Sequence, residues 1–246
     1  MPCGIRLKDA RETAAAVSGI LFAYLTPMFG RLRSRWGATD EELARSFSGD
    51  ALVPQPKWTA TRAVTVHARA EEIWPWLVQM GQGRGGFYSY EVLENLMGLN
   101  IQNATRVIPE FQDLKVGDEI RLSPTAPPVI VALLDPARAL VLRGGTEVAA
   151  AESRRVLAEK SGKYVNLTWG LYLAPMDDGS TRLIVRTRSD YSPHLSNWLF
   201  YGSFSGPMDF VMERKMLLEI KRLSEAAAGT EKAGRVGLAN KNAPLR

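Results

Sequence analysis

The stretch YVNLTWGLYLAPMDDGSTRLIVRTRS, from Tyr164 to Ser189, predicts a β-hairpin. Apolar and polar residues alternate over residues 164–173 and again over residues 181–189, with the period of two that is typical of strands. Asp177, Asp178 and Gly179, between the two runs, form a strong turn signal. We therefore expect two long antiparallel strands in this part of the chain.

Shorter strand candidates precede the hairpin, at Thr61–His67, Glu119–Leu122, Val129–Leu134 and Leu140–Arg143. Two short helices are predicted after the first of them, at Glu71–Met80 and at Tyr90–Met97, and Ser89 is the expected N-cap of the second helix. Strands that follow one another with almost no helix between them favour an antiparallel sheet over a doubly wound parallel sheet.

A long helix is predicted to end the domain, over Pro207–Ala228. Its apolar residues recur on one stripe: Met208, Met212, Met216, Ile220 and Leu223. The segment Thr146–Lys160 interrupts the strands and predicts either a lid helix or a loop. The expected fold is α+β, a helix-grip arrangement in which a curved antiparallel sheet wraps around the long C-terminal helix.

Two runs of sequence resemble a known superfamily. IWPWLVQMGQGRGGFYSYEVLENLMGL (Ile73–Leu99) and NATRVIPEFQDLKVGDEIRL (Asn103–Leu122) are similar to START-like SRPBCC proteins, in particular to bacterial members described as polyketide cyclase/dehydratase-like. The similarity continues through Thr181–Ser189 and Phe210–Glu225. The resemblance implies a sheet around a deep, mostly apolar cavity that holds a hydrophobic small molecule. It does not imply one reaction, because one fold serves carriers, receptors and enzymes.

On this resemblance, we expect the cavity to be lined by one face of the hairpin, by the final helix and by aromatic residues of the short-helix region. The predicted ligand-binding residues are Trp76, Met80, Tyr88, Tyr90, Trp169, Leu171, Val185, Met212, Glu213 and Met216. Arg182, Arg186 and Arg188 share the opposite strand face, where we expect their charges to stay solvated.

Glu213 is the candidate catalytic residue. It falls inside the apolar arc of the final helix, between Met216 and Leu217. A carboxylate placed there either pairs with an inward-reaching arginine or has a raised pKa, unless it reaches the rim and is solvated. The residues show no nucleophile beside a base, so proton transfer by Glu213 with Tyr88 or Tyr90 is the chemistry that the sequence allows.

Composition excludes several classes of protein. The formal charge of +5 suggests an anionic partner, but residues 51–227 carry 20 basic and 19 acidic groups, so we predict no nucleic-acid binding. A single cysteine and two histidines without ligand spacing predict no metal site. The glycine-rich run GQGRGG (Gly81–Gly86) follows a predicted helix and not a strand, so we expect a tight loop with Arg84 at the surface, and no cofactor.

The N-terminal residues 13–30, TAAAVSGILFAYLTPMFG, form an uncharged run of 18 residues. This length is at the lower limit for crossing a bilayer, so a membrane anchor and a helix that packs on the domain or on a membrane surface are both open. The predicted organisation is an apolar helix and connection over residues 1–57, a helix-grip domain over residues 58–227, and a mobile basic tail over residues 228–246. Thr39 is the expected N-cap of a short helix in the connection.

The leading functional prediction is the binding of a lipid-like, polyketide-like or aromatic small molecule without catalysis. The alternative is a cyclase or dehydratase that acts on a polyketide-like substrate by acid–base proton transfer. An interaction module with an exposed apolar patch is a third possibility. The predicted location is the cytoplasm, with attachment to the inner face of the cytoplasmic membrane through residues 13–30 as the alternative.

Overall fold

The computed structural model describes residues 14–15, 17–19, 30–124, 127–146, 163–192 and 206–241. Its strands are β1 (Trp58–Val66), β2 (Glu119–Ile120), β3 (Val129–Asp135), β4 (Ala139–Gly145), β5 (Tyr164–Pro175) and β6 (Thr181–Ser192). They form one six-stranded antiparallel sheet in the order β1-β6-β5-β4-β3-β2. This arrangement confirms the α+β class and the predicted strands.

The sheet is accompanied by the helices α1 (Gly30–Ser34), α2 (Asp40–Ala44), α3 (Ala70–Val78), α4 (Glu91–Leu96) and α5 (Gly206–Lys241). Single 3₁₀ turns occur at Asp50–Leu52 and Pro109–Phe111. Helix α5 continues to Lys241, into the range predicted as a tail, because extending a helix that packing has already nucleated requires little additional ordering free energy.

The inner face of the sheet packs on α5. Val66, Leu171 and Leu183 lie on this face and belong to one buried cluster with Leu217 and Ile220 of the helix. Alternation along the strands brings these residues to one side, as the sequence predicted. The long helix therefore lies in the concave side of the sheet, which is the helix-grip arrangement.

The outer face of the sheet is also covered. Ala63, Val141, Tyr172 and Ile184 form a second buried cluster on this side, against Phe47 and neighbouring residues. The covering segment is residues 36–54, which we call the strap. It includes α2 and the first 3₁₀ turn, and it shields apolar side chains that would otherwise face water.

The arginine row of β6 holds the strap in place, so the expectation that these charges stay solvated was wrong. Arg186 is only 4% exposed. It donates to the backbone carbonyls of Glu42, Leu43 and Arg45 and to the carboxylate of Asp50. Short helices leave carbonyls unpaired at their C-terminal ends, and a guanidinium has enough donors to satisfy several of them.

Of the two predicted helix N-caps, one was confirmed and one was wrong. Thr39 forms the predicted cap and completes a capping box with Glu42. Ser89 does not cap α4, whose N-cap is Tyr90 with no side-chain hydrogen bond. The Ser89 hydroxyl instead donates to the carbonyl of Met212 on α5, 3.2 Å away, so contact with a distant helix replaces the local cap.

The glycine-rich run forms the tight loop that was predicted, closed by a bridge between Gly81 and Gly86. Both glycines have positive φ angles, of 133° and 74°. Arg84 is half-buried and donates to the carbonyls of Val78 and Phe111, so it lies against the fold and not free at the surface. The loop follows helix α3, which is not the strand-first context that dinucleotide loops require.

Most of the N-terminal apolar run lies outside the described residues. Residues 14–15 and 17–19 are helical, and a Cβ atom on Gly19 would lie 3.6 Å from Val211 of α5. No helix in the described part of the chain combines the length and the apolar character needed to cross a membrane. The predicted lid or loop at Thr146–Lys160 lies outside the described residues after its first residue.

Candidate functional site

A cavity of about 360 Å³ lies between the inner face of the sheet and α5. Most of its walls are apolar: Trp58, Phe87, Leu122, Val129, Leu167, Trp169, Met212 and Met216. The polar lining consists of Ser89, Glu94, Thr187, Ser189, Asp209 and Glu213. This volume is in the lower part of the range for sites that hold a small molecule.

The hairpin strands explain where the space opens. Leu171 pairs with Val185 across the strands, and these two residues fill the core. The next inward pair is Trp169 with Thr187, and both residues line the cavity. The apolar core therefore ends at the Leu171–Val185 pair, and the cavity begins at the Trp169–Thr187 pair.

Glu213 lies in the cavity wall and is buried. Its Oε2 accepts a hydrogen bond from the guanidinium of Arg62, and its Oε1 accepts one from Trp169 Nε1 at 3.1 Å. Arg62 also binds Asp209 at 2.9 Å and donates from Nε to the carbonyl of Arg33 at 2.8 Å. The pairing of Glu213 with an inward-reaching arginine, one of the predicted alternatives, is therefore present.

The protonation of this cluster follows from its burial. Loss of water around Glu213 raises its pKa, and this effect exceeds the lowering caused by the Arg62 guanidinium. Burial acts in the opposite direction on Arg62, but the carboxylates of Glu213 and Asp209 outweigh it and raise the arginine pKa. Arg62 is therefore a permanent cation that two carboxyl groups share.

Sequence analysis missed Arg62, although a signal for it was present. Strand alternation places Arg62 on the same face as Val64 and Val66, which is the face that packs on α5. A charged residue on an otherwise buried strand face requires a partner. Glu213, in the buried arc of α5, is an acid that could supply this partner.

Glu94 is the second ionisable group that the sequence did not reveal. It lies on α4, is 2% exposed and faces the cavity. Its Oε2 is buried and has no hydrogen-bond partner among the residues that the structure describes. Burial raises the pKa of Glu94 to about 7, and the nearby carboxylate of Glu91 adds to this effect. A carboxyl group with this pKa changes its charge near neutral pH.

Helix α4 is inverted with respect to the usual amphipathic pattern. Leu96 is 83% exposed and Val92 is 40% exposed, whereas Glu94 points inward. A helix whose acid is buried and whose leucine faces outward violates the expectation that apolar side chains face the core. Such a violation is common at functional sites.

Four of the ten predicted ligand-binding residues line the cavity: Trp169, Met212, Glu213 and Met216. Five others are buried in the adjacent core: Trp76, Met80, Tyr88, Leu171 and Val185. Tyr90 is half-buried, with the ammonium of Lys215 5.8 Å from its ring centre. Phe87 and Trp58, which were not predicted, supply aromatic walls.

Tyr88 is turned away from the cavity by its backbone. It has a positive φ of 57°, and Asn103 Oδ1 supports this turn by accepting the backbone N–H groups of Phe87 and Tyr88. The phenol accepts a hydrogen bond from Gln79 Nε2 at 2.7 Å. Burial raises the pKa of Tyr88, so this hydroxyl is a poor proton donor.

The described residues contain no cluster of three or more His, Cys, Asp or Glu side chains that could hold a metal ion. No protein family matches the chain, and no curated protein matches it.

Several solved structures are similar to this chain. Protein MLL2253 from Mesorhizobium loti is 12% identical, with a TM-score of 0.37, over 68% of this chain and 96% of that one. CalU16 from Micromonospora echinospora is 13% identical, with a TM-score of 0.31, over 70% and 86%. Norcoclaurine synthase from Thalictrum flavum is 14% identical, with a TM-score of 0.35, over 68% and 92%.

All three identities are 14% or less and all three TM-scores are 0.37 or less. The fold is therefore established by the strand order and by the position of α5 in this chain.

Proposed function

We propose that this protein binds a hydrophobic small molecule in the cavity between the sheet and α5. The observation that supports this proposal is the cavity itself, about 360 Å³ with walls built mainly from aromatic, aliphatic and methionine side chains. Protein interiors are normally packed without spaces of this size. A space lined in this way favours an apolar occupant, because its walls offer water few hydrogen bonds.

The cavity volume narrows the choice of ligand. Sites for small organic molecules range from about 300 to 1,000 Å³, and this one is near the lower end. The volume favours a ring system or a short chain over a two-chain lipid. Trp58, Phe87 and Trp169 offer flat surfaces against which an aromatic body can pack.

The binding proposal can be tested with a neutral fluorescent probe, N-phenyl-1-naphthylamine, which brightens in apolar surroundings. Met212 lines the cavity, and we expect Met212→Trp to fill it and to weaken probe binding by about tenfold or more. Met176→Trp is the matched control, because Met176 is exposed in the β5–β6 turn. The same substitution there should leave binding unchanged.

Absence of probe binding, together with the absence of any co-purified small molecule in native mass spectra, would contradict the proposal. So would equal binding by the Met212→Trp and Met176→Trp proteins.

A second candidate function is acid–base catalysis, which one observation favours: Glu94 and Glu213 line the same apolar cavity. With a pKa near 7, Glu94 can carry a proton at neutral pH. In the dehydration of a β-hydroxy ketone, Glu213 would take the proton from the carbon next to the carbonyl. Glu94 would protonate the departing hydroxyl, so that water leaves and a carbon–carbon double bond forms.

The catalytic candidate can be tested with 4-hydroxy-4-phenylbutan-2-one, whose dehydration produces a conjugated, strongly absorbing ketone. We expect Glu94→Gln to lower the rate by about 100-fold, in line with the usual contribution of one general acid. Glu71→Gln, at an exposed position on α3, is the control. A wild-type rate no higher than the buffer rate would exclude this reaction.

A further inference from the structure

The charges around the cavity are unbalanced. Three carboxyl groups line it, those of Glu94, Asp209 and Glu213, and no Lys, Arg or His is found among its described lining residues. Arg62, which reaches the cavity wall through its bonds to Asp209 and Glu213, also donates to a backbone carbonyl. The lining therefore carries an excess of potential negative charge.

Glu94 is the group left without compensation. Arg62 supports Glu213 and Asp209, but Glu94 Oε2 is buried and has no partner in the described part of the chain. An unpaired carboxyl oxygen in such a position costs stability, and a ligand that supplies a donor would recover that free energy. A cationic donor would recover the most, because charge-assisted hydrogen bonds are the stronger kind.

The aromatic walls of the cavity also favour a cationic ligand. Trp58, Phe87 and Trp169 face the same space as Glu94. The face of an aromatic ring carries negative potential and attracts a cation placed over it, and tryptophan does so most strongly. An acidic group beside aromatic faces is a suitable environment for a protonated nitrogen.

We propose that the ligand is a hydrophobic amine, whose protonated nitrogen pairs with Glu94 while its apolar body packs against the aromatic walls. This inference rests on the proposed binding function and specifies its ligand class. A carboxylate ligand would add a negative charge to a site whose described lining contains three carboxyl groups and no Lys, Arg or His. A neutral alcohol would give Glu94 a partner, but through a weaker bond.

Three ligands with one body and different head groups test the proposal: 4-phenylbutylamine, 4-phenylbutan-1-ol and 4-phenylbutyrate. We expect calorimetry at pH 8 to give the amine an affinity about tenfold higher than that of the alcohol, with the carboxylate weakest. Glu94→Gln should remove the advantage of the amine, and the exposed control Glu71→Gln should keep it.

A measurement on the unmodified protein provides an independent readout. Near pH 6.5 part of the Glu94 population is protonated, so binding of the amine should release a proton. The binding heat of the amine should then depend strongly on the ionisation enthalpy of the buffer, whereas the binding heat of the alcohol should depend on it much less.

Equal affinities for the three ligands would overturn the amine proposal and leave the binding function intact. The amine proposal would also be overturned by tightest binding of the carboxylate, or by binding of N-phenyl-1-naphthylamine but of none of the three compounds. Failure of all four compounds to bind, together with the absence of a co-purified small molecule in native mass spectra, would overturn the binding function itself.

Discussion

Replacement of Glu94 by glutamine should stabilise the protein, in a way that depends on pH. The ordinary pKa of this carboxyl group is 4.5, and burial raises it to about 7 in the fold. The group therefore ionises at a lower pH in the unfolded chain than in the folded protein. Stability is at its full value below pH 4.5, falls as the pH rises to about 7, and then stays at the lower value.

The size of the effect follows from the two pKa values. One pH unit of difference corresponds to about 1.4 kcal/mol, so the penalty for ionising Glu94 approaches about 3 kcal/mol at pH 8. The other charged groups around the cavity do not reduce it. Glu91, Asp209 and Glu213 are acidic, and Arg62 already pairs with two of them.

Glutamine has nearly the same shape as glutamate and removes the charge. At pH 8 we expect Glu94→Gln to raise the free energy of unfolding by up to about 3 kcal/mol, which corresponds to about 5–10 °C in Tm for a domain of this size. At pH 5 the gain should fall below about 1 kcal/mol, because Glu94 is then protonated in the folded protein.

The measurement is urea unfolding followed by circular dichroism at pH 5 and pH 8, with Glu71→Gln as the exposed control. A loss of stability at pH 8, or an equal gain at both pH values, would refute the assignment of Glu94 as a buried carboxyl group without a partner. A gain confined to high pH would indicate that the wild-type residue is kept at a cost in stability, as is common for functional groups.

Three further predictions concern the rest of the fold. Arg62→Met should lower the free energy of unfolding by about 3–5 kcal/mol, because Glu213 stays buried without its cation. Adding Glu213→Gln to the same protein should restore part of the lost stability. If urea unfolding shows that the losses from the two substitutions simply add, the pairing is contradicted. Arg186→Ala should release the strap, so that trypsin cleaves within it at least about tenfold faster, and unchanged cleavage would contradict its clamping role. Gly37→Ala should lower the free energy of unfolding by about 2 kcal/mol or more, because the φ of Gly37 is +71° and a Cβ would clash with a carbonyl oxygen of β1. Gly179→Ala is the control: its φ is +79°, but the space around it is open, so the loss of stability should be smaller. Equal losses of Tm in the two variants would exclude the clash.

Local sequence patterns were sufficient for the architecture. The alternation in Tyr164–Ser189, the turn at residues 177–179 and the apolar stripe after Pro207 each predicted an element that the structure contains. They also placed Glu213 in the buried arc of the last helix. These properties depend on the periodicity of strands and helices, which a chain shows over 5–20 residues regardless of what packs against it.

The composition of the site depended on residues far apart in the chain. Arg62 and Glu213 are separated by 151 positions, and only the packing of β1 on α5 brings them together. The burial of Glu94 required α4 to present its acid inward and Leu96 outward, against the usual pattern. The strap became part of the fold because the outer sheet face was apolar and the β6 arginines could satisfy its carbonyls.

The sequence by itself determined the class of fold, the position of the hairpin and the helix that carries Glu213, because local periodicity decides which faces must be buried. Tertiary structure alone decided which buried charges find partners and which do not. A partner depends on the three-dimensional distance between side chains, and on the water that packing removes from around them. For this protein, that difference separates Glu213, which pairs with Arg62, from Glu94, whose Oε2 has no hydrogen-bond partner within the described residues.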